Sequence, residues 1–371
     1  GPQTNVLKSF QYGFNNADLI TNIVFESGEQ AQYTYDGLDR LTGEISGSSV
    51  VSYTYDLAGN RQTKTLDGMT VSYSYGTGDR LTNWVVSGTP KGKIDVFGYS
   101  SETVGTNDLF GERTVNGRTA SVSGTNFCVH GLAMEAGTQQ LIVAAIGDEA
   151  GNVGRTTNSI AMTVVTNAGY RYDLAGNITN IAYAGYRTLQ LKWDGQYRLL
   201  SVATNGTSIE SNRYDALGRR ISVQNGTNTT YFVYDGLHCV ADVSTNGSLL
   251  RRYAYGPGID NILSVTVHGA TTDTYYYIKD HLGSVAAIAD GGGNIVEFYR
   301  YDAWGRATVF DANNQQLSNS AIGNRFLFQG REYSWVTGLY YFRARWYDPV
   351  TGRWLSNDPI GIAGGLNQYA F

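Results

Sequence analysis

Proline, cysteine and histidine are scarce in this 371-residue chain, at 5, 2 and 4 residues. Two cysteines exclude a disulfide scaffold and a cysteine-based zinc site. Four scattered histidines argue the same way about a histidine-rich metal site, so no metal and no cofactor is expected. Charge is also thin: 16% of residues are charged and the net charge is -5. A mildly acidic chain lacks the basic footprint of nucleic-acid binding. No apolar run reaches the ~18 residues that a spanning helix needs. Runs of Ala, Leu, Glu and Lys with a helical period are missing, which argues against a helical protein.

What the chain has in quantity is glycine, 46 residues, and tyrosine, 28 residues. Many tyrosines with many glycines and few prolines suggest short strands joined by tight turns. An apolar content of 42% is ample for a packed core and argues against disorder. Gly1-Pro2 reads as the remnant of a cleaved tag and is left out of fold reasoning. Asn367-Gln-Tyr-Ala-Phe371 reads as a strand cut short, and the chain as a fragment of something longer.

The sequence repeats itself, which outranks other signals. Tyr33-Thr-Tyr-Asp-Gly-Leu-Asp-Arg-Leu41 returns as Tyr53-Thr-Tyr-Asp-Leu-Ala-Gly-Asn-Arg61 and Tyr73-Ser-Tyr-Gly-Thr-Gly-Asp-Arg-Leu81. Further copies include Tyr170-Arg-Tyr-Asp-Leu-Ala-Gly-Asn-Ile178, Leu191-Lys-Trp-Asp-Gly-Gln-Tyr-Arg-Leu199 and Asn212-Arg-Tyr-Asp-Ala-Leu-Gly-Arg-Arg220. The second aromatic falls at 35, 55, 75, 172, 193, 214, 234 and 255, a step of 20 or 21 except for one of 97. That gap leaves about 77 residues beyond one period, the size of a small inserted domain.

Each copy has a physical reading. Aromatics two apart share one strand face. The Asp binds backbone N–H groups of the turn, and Gly or Asn tolerates positive φ. A second strand follows, as in Leu199-Leu-Ser-Val-Ala203. Asn205-Gly206, Asn225-Gly226 and Asn246-Gly247 predict two-residue hairpins. Such a unit cannot bury a face alone, so the units must stack side by side.

These residues resemble YD repeats of the Rhs family, with the related shells of ABC toxins and teneurins. The most specific stretches are Tyr277-Ile-Lys-Asp-His-Leu-Gly-Ser284 and Leu339-Tyr-Tyr-Phe-Arg-Ala-Arg-Trp-Tyr-Asp-Pro-Val-Thr-Gly-Arg-Trp-Leu-Ser-Asn-Asp-Pro-Ile-Gly361, continued by Ala363-Gly-Gly-Leu-Asn-Gln-Tyr369. The resemblance implies an all-β fold: a spiralling antiparallel sheet forming part of a β-cocoon around a C-terminal toxin released by self-cleavage. It also implies a site residue, because Asp358 in Asp358-Pro-Ile-Gly361 matches one Asp of the family's aspartic autoprotease. Paired carboxylates suit peptide hydrolysis, one holding a proton while the other activates water. A second Asp-Pro-x-Gly-Leu segment is not in this sequence, so this fragment is expected not to cleave itself. Arg353 is the companion candidate, either stabilising developing charge or pairing with a turn carboxylate.

Residues 90–166 break the repeat. Val115-Asn-Gly-Arg-Thr-Ala-Ser-Val122, Gly137–Asn152 and Ser159–Val165 predict several short strands, hence an inserted β-sandwich that resembles bacterial Ig-like domains. The expected division is shell 3–89, insertion 90–166, shell 167–337 and truncated Rhs core segment 338–371. Some twenty shell strands at ~4.8 Å spacing make a sheet ~95 Å wide, enough to curl strongly but not to seal a toxin-sized cavity.

Other candidates read as structure. Asp280-His281 could act as an acid–base pair, but no nucleophile motif stands beside it. Asp290-Gly-Gly-Gly-Asn294 reads as a hairpin turn, since no helix follows it. Asp148, Glu149 and Asn152 fit no EF-hand spacing. Cys128 and Cys239 fall in different domains and are expected as free thiols.

The expected function is that of a non-catalytic shell fragment of a secreted bacterial protein, encapsulating a C-terminal cargo such as a toxin. The alternatives are a cell-surface adhesion protein that binds glycans or a receptor, and part of an autoprotease with Asp358. Open sheet edges invite self-association.

Overall fold

A computed structural model describes residues 9–47, 49–66, 68–87, 169–183 and 187–371 with their side chains, and the backbone of several strands between 91 and 168. A 23-stranded antiparallel sheet dominates it. From Phe10–Phe14 to Gln316–Leu317 each strand pairs with the next one in sequence, with one exception. Strand Arg80–Ser87 pairs with Asn167–Tyr172, so the chain leaves and re-enters the sheet at one hairpin. The strands between them form two further sheets, one of four strands and one of three. The Ig-like reading concerns side chains outside the described residues, as do Asp148, Glu149, Asn152 and the thiol of Cys128.

The repeat itself explains why the sheet curls. The pairing register slips just before the second aromatic, at Thr34/Tyr35, Thr54/Tyr55, Ser74/Tyr75, Arg171/Tyr172, Lys192/Trp193, Arg213/Tyr214, Val233/Tyr234 and Ala254/Tyr255. A bulge bends its strand and increases the local right-handed twist. Bulges at the same end of every second strand add up to a continuous curl.

The curl brings late turns back to early strands. The Tyr12 and His281 rings lie 4.4 Å apart, and Tyr53 and Trp304 5.9 Å apart. Arg300 pairs with Glu29 at 3.0 Å, and Lys64 approaches Asp302 at 4.0 Å. Eight strands before the insertion and eleven after it, ending at Thr272–Lys279, make up this circuit. At ~4.8 Å per strand the circumference is ~90 Å and the width ~30 Å between backbones.

That space is filled by the chain's own C-terminal segment, the strap, residues 320–371. It carries a small sheet of Glu332–Tyr333, Tyr340–Tyr341, Trp346–Asp348 and Arg353–Trp354. Tyr340, Trp346 and Tyr347 are among the largest fully buried side chains. Two apolar clusters form between strap and sheet. One joins Tyr340 and Tyr347 to Tyr253, Tyr277 and Tyr299, the other joins Leu339, Trp346 and Leu355 to Ile181, Leu189 and Leu199.

Two local expectations are corrected, at Asn367–Phe371 and at Asn246-Gly247, and a third is met as far as the structure describes it. Asn367–Phe371 is not a strand: Asn367 Oδ1 accepts the N–H groups of Tyr369 and Ala370, and only an isolated Arg353–Ala370 bridge follows. Of the strand expected at Ser159–Val165, the described residues Ser159–Ala161 belong to strand Val153–Ala161, which pairs along its full length with Gln139–Gly147, and the rest lies outside the described residues. Asn246-Gly247 is not a two-residue hairpin. Ser244 takes the part of the turn Asp there, accepting from Ser248 N–H at 3.1 Å in a five-residue turn.

Candidate functional site: the strap and the Asp-turn rim

The second aromatic of each repeat is a hydrogen-bond donor to the previous repeat. Tyr35 donates to the Ile20 carbonyl at 2.8 Å, Tyr55 to Leu41 at 2.7 Å, Tyr75 to Arg61 at 2.7 Å and Tyr172 to Leu81 at 3.0 Å. Tyr214, Tyr234, Tyr255 and Tyr301 repeat the contact with Leu199, Arg220, Cys239 and Val285. Trp193 substitutes for tyrosine and donates through Nε1 to Ile178 at 2.6 Å. Burial pushes the Tyr55 and Tyr75 hydroxyls up to about 12, so they stay protonated donors. Tyr234→Phe keeps the ring and loses the bond. It is expected to cost about 1 kcal/mol in urea unfolding with an unchanged m-value.

The Asp organises the turn. Asp215 Oδ1 accepts Leu217 and Arg219 N–H, each at 2.9 Å, and Oδ2 accepts Arg219 Nε at 2.7 Å. Arg219 then reaches the Gly236 carbonyl of the next turn and lies over Tyr234. Asp36 with Arg40 and Asp194 with Arg198 repeat the arrangement. Desolvation opposes ionisation of Asp194 and Asp215, yet the turn N–H groups and the guanidinium hold both below the usual carboxylate range. These aspartates are turn formers, as the sequence predicts.

The strap docks on this rim of turns. Tyr369 donates to the Gly176 carbonyl at 2.6 Å, Tyr340 to Gly305 at 2.8 Å, Tyr347 to Trp304 at 2.8 Å and Asn357 to Ala175 at 2.9 Å. A charge cluster anchors it deeper. Glu332 receives Arg220 at 2.5 Å and Arg325 at 3.0 Å, while Arg325 also pairs with Asp242. Cys239, a buried free thiol, accepts from Arg325. Burial raises its pKa, which makes it an inert thiol.

Asp358 and Arg353 are placed by different partners. Asp358 receives Arg345 Nη1 at 3.0 Å and heads a turn in which its Oδ1 accepts Ile360 N–H at 3.1 Å. Arg353, 6% exposed, donates to Asn60 Oδ1 at 2.9 Å and to the Asp79 carbonyl at 2.5 Å. The guanidinium beside Asp358 is therefore Arg345, which sequence reasoning missed. Its only signal was the Arg343-Ala-Arg345 alternation, and only the strap's folding brings it to Asp358. Asp348, fully buried in the same segment, accepts Val350 N–H and Thr351 Oγ1, each at 2.9 Å, and burial raises its pKa.

Asp280 accepts Leu282 and Ser284 N–H, and His281 packs on Tyr12, so this pair serves the turn and the seam. Among the described residues no group of three or more His, Cys, Asp or Glu is placed to hold a metal. No helix among them is long and apolar enough to cross a membrane.

Comparison with known proteins adds the following. Residues 213–363 match the Teneurin YD-shell family. The tRNA3(Ser)-specific nuclease WapA of Bacillus spizizenii is 28% identical, over 96% of this chain and 16% of that protein. The toxin protein Tse5 of Pseudomonas aeruginosa is 30% identical, over 54% of this chain and 18% of its own length. Among solved structures, TcdB2-TccC3-TEV aligns over 98% of this chain and 18% of that one, with 16% identity and a TM-score of 0.42. The chain thus spans less than a fifth of either relative's length.

Proposed function

This chain belongs to the Rhs/YD-repeat family, and from that premise we propose that it is a wall segment of a shell around a toxin or similar cargo, in a secreted bacterial protein. The observation that carries this reading is the closed circuit of the sheet. Strands pair from one end to the other, and the seam between residues 12–64 and 280–304 is shut by side chains. The work of such a wall is geometric rather than catalytic: it screens what lies within from proteases. The strap fills the space in this segment, so it closes one region of the shell while the cargo occupies another.

The test uses the full-length gene product. A protease is expected to leave its C-terminal domain intact while the isolated domain is digested. Equal digestion of both would sink the shell reading and favour surface adhesion.

A second reading, part of a self-processing aspartic site, draws support from the Arg345–Asp358 pair. Masses of the full-length product and its Asp358→Asn variant decide it. The unaltered protein is expected as two pieces and the variant as one. Two intact proteins, or two cleaved ones, would remove Asp358 from the chemistry.

A further inference from the structure

A cavity of about 430 Å³ runs along the rim, between residues 196–198, 216–219, 237–239 and 255–260 of four successive turns and the strap stretches 326–332 and 341–344. That volume falls within the ~300–1,000 Å³ of ligand pockets. Neighbouring turns of the rim lie two strands apart, so three steps at ~4.8 Å per strand span ~29 Å. A cavity of this volume over that span is a narrow groove. An extended chain, at ~3.3–3.6 Å per residue, crosses it in about eight residues.

The groove is basic. Arg198, Arg219, Arg331 and Arg343 line it, against the carboxylates Asp260 and Glu332. The four arginine side chains are 24–31% exposed, so solvent reaches them. Both carboxylates are already shared. Arg220 and Arg325 hold Glu332, and Arg325 also pairs with Asp242. Arg331, at 2.7 Å, and Arg343 converge on Asp260. Arg198 and Arg219 have one carboxylate each, Asp194 and Asp215. One guanidinium charge therefore stands in excess at Asp260. Desolvation, joined by the Arg343 charge, holds the Arg331 pKa below its ordinary value in spite of Asp260. At Arg220 and Arg325 desolvation is outweighed by the carboxylates and the pKa is raised. Arg343 is also fixed in the left-handed region, at φ of +63°, a strain of the kind found at ligand clamps.

We infer that this groove binds an extended acidic peptide segment, with its carboxylates on the arginines and its apolar side chains on Leu217 and Leu237. Both leucines are exposed and line the groove, as do the rings of Tyr234 and Tyr255. Carboxylates suit these guanidinium groups, which already hold Asp194, Asp215 and Asp260 in charge-assisted bonds. A single small anion would meet one turn of the four, whereas a chain segment matches the span.

The probe is an acetylated, amidated octapeptide of alternating Glu and Leu with a neutral fluorophore, titrated with the whole chain while anisotropy is followed. The same peptide with Gln in place of Glu is the reference. Saturable binding is expected for the Glu peptide, weakening as salt is added, and about tenfold or more weaker for the Gln peptide. Arg343→Asn removes a charge and keeps a residue that tolerates positive φ. It is expected to weaken binding of the Glu peptide about tenfold or more. Arg213→Gln, exposed on strand Thr207–Tyr214, leaves binding unchanged. Equal binding of the two peptides, or equal losses in the two variants, would overturn the proposal. So would displacement of the Glu peptide by acetate or inorganic phosphate at the same concentration. Should Arg343→Asn not fold, amide exchange of the unaltered chain decides. The Glu peptide is expected to slow exchange at residues 216–219, 237–239 and 341–344, and slowing confined to other residues refutes the site.

Discussion

Arg325→Met is expected to lose about 3–5 kcal/mol of stability, the largest single-residue effect outside the aromatic core. Arg325 bridges two carboxylates on different elements, Asp242 of the sheet and Glu332 of the strap. Asp242 is 1% exposed and Glu332 9%. Methionine replaces the volume and leaves both carboxylates without that cation. Glu332 keeps Arg220, so the heavier loss falls on Asp242, which retains Arg251 at 3.9 Å. The variant is also expected to release the strap, seen as faster amide exchange across residues 325–341.

The same cluster gives a pH dependence with a definite sign. Burial by itself would raise the Glu332 pKa, but Arg220 and Arg325 outweigh it and hold the carboxyl below its ordinary value. A depressed folded pKa stabilises the protein above the unfolded value of about 4.3, and that stabilisation is lost as pH falls through the folded pKa. The gap between the unaltered chain and Arg325→Met should therefore narrow below about pH 4. A gap independent of pH from 7 to 3 would show that Arg325 does not hold the Glu332 carboxyl down.

Gly352→Ala is expected to cost about 2–5 kcal/mol. Gly352 has φ of +68°, where an L side chain is strained by about 1–2 kcal/mol. An added Cβ would also sit 2.5 Å from Trp304 Cε3. That ring cannot swing aside, because Arg61 lies over it and Tyr53 meets its edge. Overpacking of this kind adds about 1–3 kcal/mol. Gly226→Ala is the control: φ is +58°, but nothing lies within 4 Å of the added carbon. It should show the backbone cost alone. Equal losses at the two sites, by denaturant unfolding, would mean the strap yields at Trp304.

Much of the fold was legible in the sequence because the repeat is local chemistry. Tyr35, Tyr55, Tyr75 and their later equivalents each serve the same bond one repeat away. The Asp, the positive-φ residue and the Arg or Asn that follow all act within five residues. A period of 20 or 21 therefore reports one hairpin and its successor, and the single long gap marks where strand Arg80–Ser87 pairs with Asn167–Tyr172. Asn205-Gly206 was readable for the same reason, as both residues have positive φ between paired Thr204 and Thr207.

The strap was not legible in that way. Its short strands have no repeat to announce them, and its tyrosines look like those of the sheet. Yet Tyr340, Tyr347 and Tyr369 bond turns 35, 43 and 193 residues away. Arg353 and Arg345 illustrate the limit at the candidate site. Closeness in sequence to Asp358 suggested Arg353, whereas the folded strap carries Arg353 to Asn60 and brings Arg345 to Asp358.

The sequence alone determined the unit: an aromatic pair, an Asp turn, a second strand, and the stacking of such units into one antiparallel sheet. Those features depend on contacts within about one period. Only the tertiary structure decided how far the sheet turns, that its late turns meet its first strands, and that the strap fills the space within. It also decided which arginines have a carboxylate partner. Those outcomes depend on small bends summed over many bulges and on pairs up to about 300 residues apart, which no local pattern encodes.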